Sequence, residues 1–493
     1  MSFLSVQNHR PFHISDIPVI SVSEFENSIR QSLQAGFRLI SLFALNPEKS
    51  EKTVLVVLSN PLTSSISLTA TQFSKDDHRF NSFASDFPQT NYFECELAEE
   101  NLIIPNGHPW LRPVRKQSTV LGDQPYSLYQ MEGEEVHEVA VGPIHAGVIE
   151  PGHFRFQCHG ELVYHLEIVL GYQKRGIENL LLSANSRQQT ILCESIAGDT
   201  TIGHSMAHVL GIEALAHTNV SLKTQVLRSI AEELERVAMH LAGLGGIAND
   251  IGYAIGASSY GRLRTLVING LALFCGSRFG KGFLVPGGLQ FDPDEEAIEK
   301  LKSNLTTVLN DVSAINLVLF DSTSVLARLD HTGTVTREWA SEIGMVGPAA
   351  RASGIDLDTR SQFPYGAYRY FPIPLITLGT GDVFARTRIR ALEIEDSIRF
   401  IFEQLDNLPA GTTQTKVHDL QPDSGVISVV EGWRGEIVHS LFTGSDGKLT
   451  RYKIKDPSFH NWYGLALALR NEAISDFPLC NKSFDLSYAG HDL

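Results

Sequence analysis

The sequence predicts an α+β protein in two parts: a small N-terminal α/β domain, residues 1–115, and a mainly α-helical body with peripheral β-hairpins, residues 139–493. Three observations carry this expectation. Apolar residues recur every three to four positions over Val226, Ile230, Leu234, Val237, Leu241 and Leu244, and again over Phe384, Thr387, Ala391, Ile394, Ile398, Ile401 and Leu405, marking two long amphipathic helices. Alternating Phe154, Phe156 and Cys158 face Leu162, Tyr164, Leu166 and Ile168 across His159 and Gly160, the pattern of a hairpin. The chain also has 493 residues, more than the roughly 250–300 that one hydrophobic core sustains.

In chain order, an amphipathic segment at 22–35 leads to strand-like runs at 37–43, 53–58 and 64–71. A helix then ends in the Pro/Gly turn of I-I-P-N-G-H-P-W-L-R, 103–112, whose bland explanation is a domain-closing turn without chemistry. Residues 116–138 are polar and read as a linker between the two parts. After the hairpin, K-R-G-I-E at 174–178 opens a helix. The Gly-rich run 275–289 is not a phosphate loop, since Lys281 is followed by Gly282 rather than Ser or Thr. A last hairpin joins 436–443 to 448–454 across G-S-D-G.

Composition narrows the function. A net charge of −16 without any Lys/Arg cluster leaves no face for nucleic acid. No apolar run approaches the roughly 18–20 residues that span a bilayer. The N-terminus, M-S-F-L-S-V-Q-N-H-R, has neither a basic leader nor an apolar stretch, so no signal peptide is expected. Five cysteines are scattered singly with no C-x-x-C, which suits a reducing cytoplasm and small buried side chains rather than disulfides or clusters.

The stretch that organises the rest is C-E-S-I-A-G-D-T-T-I-G-H-S, 193–205. It resembles the nickel-binding motif of nickel–iron hydrogenase large subunits, approximately E-R-x-C-G-x-C-x-x-x-H-S, with Glu194, Gly198, His204 and Ser205 in register. Ala197 and Thr200 stand at the two cysteine positions. The terminal D-F-P-L-C-N-K-S-F-D-L-S-Y-A-G-H-D-L, 476–493, is similar to the family's closing D-F-P-L-x-x-x-S-x-D-P-C-x-x-C, with Ser487 and Gly490 where the other two thiolates belong. V-G-P-I-H-A-G-V-I-E-P-G-H-F-R-F, 141–156, and G-P-A-A-R-A-S-G-I-D-L-D-T-R, 347–360, resemble segments that these hydrogenases share with the quinone-binding 49-kDa subunit of respiratory complex I. The N-terminal 86–114 resembles the complex I 30-kDa signature, matching at Glu94, Glu96, Ile104, Gly107, His108, Pro109, Leu111 and Arg112, with Cys95 in place of arginine. The chain is therefore identified as similar to the large subunits of formate hydrogenlyase and hydrogenase-4, in which the two modules are fused.

The resemblance implies a hydrogenase-large-subunit-like body in a membrane-associated complex. Its partners would be a small iron–sulfur subunit and antiporter-like membrane subunits, and its place the inner face of the cell membrane. An alanine and a glycine offer no donor atom, and hydroxyls are poor substitutes for soft thiolates. So no nickel–iron cluster, and no other cofactor or metal, is expected in this chain; an iron–sulfur cluster is expected in the partner. In the hydrogenases the residue at Glu150 relays protons. Glu150, Asp199 and His204 are accordingly the candidate relay, with His145, His153, Arg351 and Asp356 as polar neighbours of the vestigial site. The quinone-contacting histidine and tyrosine of complex I fall at Ile149 and near Ile202. His204 and His208, at i and i+4, are a weaker candidate metal pair. Three readings stay open: a coupling subunit, a non-catalytic scaffold of the same assembly, and a hydrogenase with an atypical site.

Overall fold

A computed structural model describes residues 3–48, 50–61, 63–115, 126–145 and 149–493. Its helices and strands are segregated as an α+β protein requires, and helices lie where the three-to-four spacing put them. The central helix runs Leu222–Asp250, opened by Ser221, whose side chain accepts from the Thr224 amide. It packs between Ala254–Cys275 and Val383–Asp406. The latter starts at Asp382, which caps the Ala385 amide. Its apolar seam is buried, but so are Arg386, Arg390 and Glu393 on its other faces, so this helix runs through the interior with charge on board.

In the N-terminal part, helix Val22–Gln34 covers a sheet ordered Leu4–Val6, Ser65–Gln72, Thr53–Asn60, Arg38–Ala44. All these pairings are antiparallel; only Val19–Ile20 joins parallel, beside Ser65–Gln72. The expected small unit of helix and strand is thus built on a mostly antiparallel sheet. The links between its long strands are far too short for the crossover helix that parallel neighbours need.

The two parts are not separable bodies. Val6, Ile40 and Val57 share one apolar cluster with Ile427, Val429, Val438 and Phe442 from the far end of the chain. Strand Phe12–His13 even pairs with Ser424–Gly432. Buried ion pairs cross the same seam: Arg38 to Glu436 at 2.9 Å and Lys453 to Glu96 at 2.7 Å. Of the signature residues at 86–114, Glu96 crosses this joint to Lys453 and Arg112 donates to the Ile168 carbonyl at 3.5 Å, while Glu94 bonds within the N-terminal part. Arg112 lies over the Trp110 and Tyr92 rings. Glu94 accepts from Ser82, Thr90 and the Phe83 amide, with burial lifting its carboxyl to about 7.

Of the expected linker 116–138, residues 116–125 lie outside the described residues. The remainder is held: Tyr126 Oη donates to Glu167 at 2.6 Å, and strand Val136–Val141 adds to hairpin His153–His159/Leu162–Val169 as a third strand. The expected second hairpin forms between Gly435–Thr443 and Leu449–Lys455. Ser424–Gly432 pairs with Gly435–Thr443 on the other side, and this further, central hairpin is buried along its whole length. Among the described residues no single helix is long and apolar enough to cross a membrane.

Candidate functional site

The two halves of the organising motif, far apart in sequence, meet in space. Helix Ser186–Glu194 ends, the chain turns through Ala197, and helix Thr201–Leu215 begins. Ser487 caps the short helix Tyr488–Asp492, its Oγ accepting from the Gly490 amide at 2.9 Å. One guanidinium bridges them: Arg175 donates to the Ser195 and Ile196 carbonyls at 2.5 and 2.8 Å and to the Ala489 carbonyl at 3.4 Å. Glu150 closes the other side, accepting from the amides of Tyr488 and Ala489 at 3.2 and 3.4 Å. Arg175 thus ties the turn that carries Ala197 to the terminal helix that carries Gly490.

What occupies this space comes from a part of the chain that the motifs do not include. The central hairpin turns in two residues, Trp433 and Arg434, between the paired Gly432 and Gly435. Gly435 sits at φ +131 with its α-face against Gly347, where a Cβ would come within 2.8 Å of backbone. Only glycine allows so close an approach of the two backbones. Arg434 then grips Asp199 with both nitrogens, Nη1 to Oδ1 at 2.6 Å and Nη2 to Oδ2 at 2.7 Å, a bidentate charge-assisted pair. Thr200 Oγ1 accepts from Arg434 Nη1 at 3.0 Å and from Trp433 Nε1 at 3.1 Å. Beside Gly490 the Asp456 carboxyl stands where a side chain would start: a Cβ built there would lie 2.6 Å from its carboxyl carbon. The donor set therefore does not fit a thiolate-held cluster. Two positions lack a donor atom, both hydroxyls are engaged in hydrogen bonds, and a carboxylate fills the fourth corner.

Of the three relay candidates, Glu150 feels the charge of Asp199, whereas His204 bonds to Asp456 and His439 instead. Burial lifts the half-buried Glu150 carboxyl above its ordinary range; the Ala489 amide opposes this, the charge of Asp199 adds to it, and the Tyr488 amide and Arg434 oppose it. His204 is fully buried, Nε2 3.0 Å from Asp456 Oδ2 and Nδ1 3.1 Å from His439 Nε2. Burial raises the Asp456 carboxyl, but the hydrogen bond and charge of His204 and the charge of Arg434 outweigh it and hold the group below the usual range. The amides of Ile202 and Gly203, at the start of the same helix, point at Glu235, at 2.7 and 3.1 Å; burial raises that carboxyl to about 8.

Other expected neighbours do different work. His145 and His153 tie the loop beside Glu150, contacting the Gly152 and Gly142 carbonyls at 2.9 and 3.3 Å. Arg351 is not at this site. It lies in a separate buried charge cluster, bonded to Glu393, to Glu431 at 2.9 Å and to Asp358 at 3.4 Å. Asp356 is exposed, because the chain turns outward after helix Gly347–Ala352 and re-enters only at Leu357; its neighbour Asp358 is the buried carboxylate. The pair His204 and His208 does not form a metal site, since His208 Nδ1 bonds Tyr452 Oη at 3.0 Å while His204 is committed to Asp456 and His439. Sequence reasoning missed Arg434, Asp456, Arg175 and His439. One signal was present: a Trp–Arg pair in a glycine-bracketed turn inside a run of strand-forming residues.

The profile of the family described as "Respiratory-chain NADH dehydrogenase, 49 Kd subunit" matches residues 250–424. "Hydrogenase-4 component G" of Escherichia coli K12 is 27% identical over 473 residues, 91% of this chain and 80% of that protein. A subunit of the NADH-quinone oxidoreductase of Clostridium beijerinckii is 30% identical over 308 residues, 62% of this chain and 83% of its own length. Among solved structures, a chain of an archaeal respiratory membrane complex, the membrane-bound sulfane sulfur reductase, superposes with a TM-score of 0.68. That match has 22% identity and covers 74% of this chain and all of the other, a likeness of fold.

Proposed function

Since the chain belongs to the superfamily of the complex I 49-kDa subunit and the nickel–iron hydrogenase large subunit, we propose that it is the large subunit of a membrane-associated oxidoreductase complex working without a nickel–iron cluster. Its relatives are subunits of membrane-bound hydrogenase and complex I-like assemblies. In this reading a small iron–sulfur subunit carries the electrons, antiporter-like membrane subunits move the ion, and this chain sits peripherally on the inner membrane face through them. The carrying observation is the grip of Arg434 on Asp199 and Thr200 in the space of the missing thiolates, with Glu150 alongside. A carboxyl whose hold on its proton is strengthened by burial, next to a fixed ion pair, suits proton transfer. Exposed Ile144, Ile149 and Ile191 flank the same loops and favour a partner at that face.

Two measurements test this. Mass-spectrometric metal analysis of the purified native complex is expected to find no stoichiometric nickel in this chain; about one nickel per chain would establish the atypical hydrogenase instead. Glu150→Gln, isosteric and unable to ionise, is expected to leave assembly intact and to cut turnover or ion movement by about tenfold. The scaffold reading has its own support, because Thr200, Ser487 and Asp199 are already satisfied by protein partners. Unaltered turnover in the Gln variant would decide for it.

A further inference from the structure

Behind the site, five buried side chains form one unbroken line. Asp456 Oδ2 lies 3.0 Å from His204 Nε2, and His204 Nδ1 lies 3.1 Å from His439 Nε2. His439 Nδ1 lies 2.9 Å from Tyr452 Oη, which lies 3.0 Å from His208 Nδ1. The line threads helix Thr201–Leu215 and the strands Gly435–Thr443 and Leu449–Lys455, and ends just beyond the last. Each member is at most 1% exposed.

A neutral imidazole carries one N–H and one lone pair, so each proton in such a line is placed by the one before it. The Asp456 carboxylate accepts, so His204 donates from Nε2 and must accept at Nδ1. His439 then donates from Nε2 and accepts at Nδ1 from the Tyr452 hydroxyl. Tyr452 oxygen accepts from His208 Nδ1–H, which leaves His208 Nε2 as a bare lone pair, buried and without a partner among the described residues. Burial disfavours charge on two of the rings, lowering His208 to about 4 and His439 well below its usual range. One carboxylate thereby sets the polarity of four further groups, and the line's open proton acceptor is at the opposite end.

We propose that Asp456, His204, His439, Tyr452 and His208 form a single-proton relay that loads Asp456, beside Arg434 at the candidate site, from His208 Nε2. The proposal rests on the proton-handling function above. A proton arriving at His208 Nε2 forms the Nε2–H bond as Nδ1–H breaks toward Tyr452 oxygen. Tyr452 passes its own proton to His439 Nδ1, His439 Nε2–H passes to His204 Nδ1, and His204 Nε2–H passes to Asp456. No electron moves, and one proton has been transferred in net. Packed rings cannot turn over, so the line resets by the same hops backward. It therefore stores one proton against negative charge arriving near Arg434 and returns it when that charge leaves.

The test uses the native complex with Tyr452→Phe, His208→Gln and the double variant, alongside Glu150→Gln. Phenylalanine keeps the ring and removes only the hydroxyl; glutamine keeps a donor toward Tyr452 and cannot relay. Each single variant is expected to lower turnover by about tenfold, and the double no further, because members of one relay are non-additive. Losses that multiply in the double variant would make the groups separate packing elements and overturn the relay. Turnover within about twofold of wild type in both singles, with Glu150→Gln impaired, would overturn the relay and leave the function standing. An unaffected Glu150→Gln variant would remove the function on which the relay rests. Should the variants fail to assemble, 15N spectra of histidine-labelled wild-type complex decide. Protons on Nε2 of His204 and His439 and on Nδ1 of His208 support the relay, and any other tautomer at these rings overturns it.

Discussion

Arg351→Met lowers the stability of the folded chain by about 3–5 kcal/mol, the cost of leaving buried carboxylates without their partner. Arg351 is fully buried, and its fork donates from Nη1 to Glu431 at 2.9 Å and to the Leu357 carbonyl at 3.0 Å, and from Nη2 to Glu393. Methionine fills much of the volume and supplies none of the donors. Arg360 and Arg236 remain, but Arg360 is already held by Asp358 at 2.6 Å and Glu233 at 3.0 Å, and Arg236 by Glu233 and the Glu431 and Gly432 carbonyls. Arg351→Lys keeps the charge and loses the fork, so it falls between the two. Urea denaturation of the three proteins in matched complexes measures this; a methionine variant within about 1 kcal/mol of wild type would contradict the account.

The second large effect depends on pH and concerns Glu232. Tyr368 Oη lies 2.6 Å from Glu233 Oε1 and 3.1 Å from Glu232 Oε2, yet a hydroxyl has one proton to give. Glu233, paired with Arg236 and Arg360, is the ionised carboxylate and takes it. Glu232 must then bring its own proton to Tyr368. Burial agrees, lifting the Glu232 carboxyl from 4.5 to about 8, with Arg236 opposing, Glu233 adding and both tyrosines opposing. The sign follows. Below about 4.5 both folded and unfolded chains hold the proton, and the contribution to stability is complete; as pH rises toward 8 only the unfolded chain releases it, so stability is lost. Glu232→Gln has no proton to release and reproduces the donor. It is expected to gain on wild type by on the order of 3–5 kcal/mol between about pH 5 and about pH 8.5. Denaturation curves at the two pH values check it; a difference that stays constant across that range would show Glu232 to be ionised throughout.

Both predictions turn on buried charge that periodicity does not announce. Arg390 and Glu393 lie on a helix whose apolar seam is plain in the sequence, and both fall off that seam. They are buried because further elements close over that helix, which no pattern of near neighbours reports. The same holds for Asp356 and Asp358, two residues apart and of one chemical type, one exposed and the other enclosed by Arg351 and Arg360.

Linear order was enough to establish the α+β class, the bounds of the long helices and hairpins to within a few residues, and the absence of thiols at Ala197, Thr200, Ser487 and Gly490. These depend on residue identity and on neighbours three or four positions away, which the chain carries along its length. What replaces the thiols, and how the two parts of the chain join, was settled only by packing in three dimensions. Arg434 reaches Asp199 across 235 positions and His204 reaches Asp456 across 252. Such pairs form because a buried charge must find a partner wherever the fold brings one, and that search is made in space, after the backbone has closed.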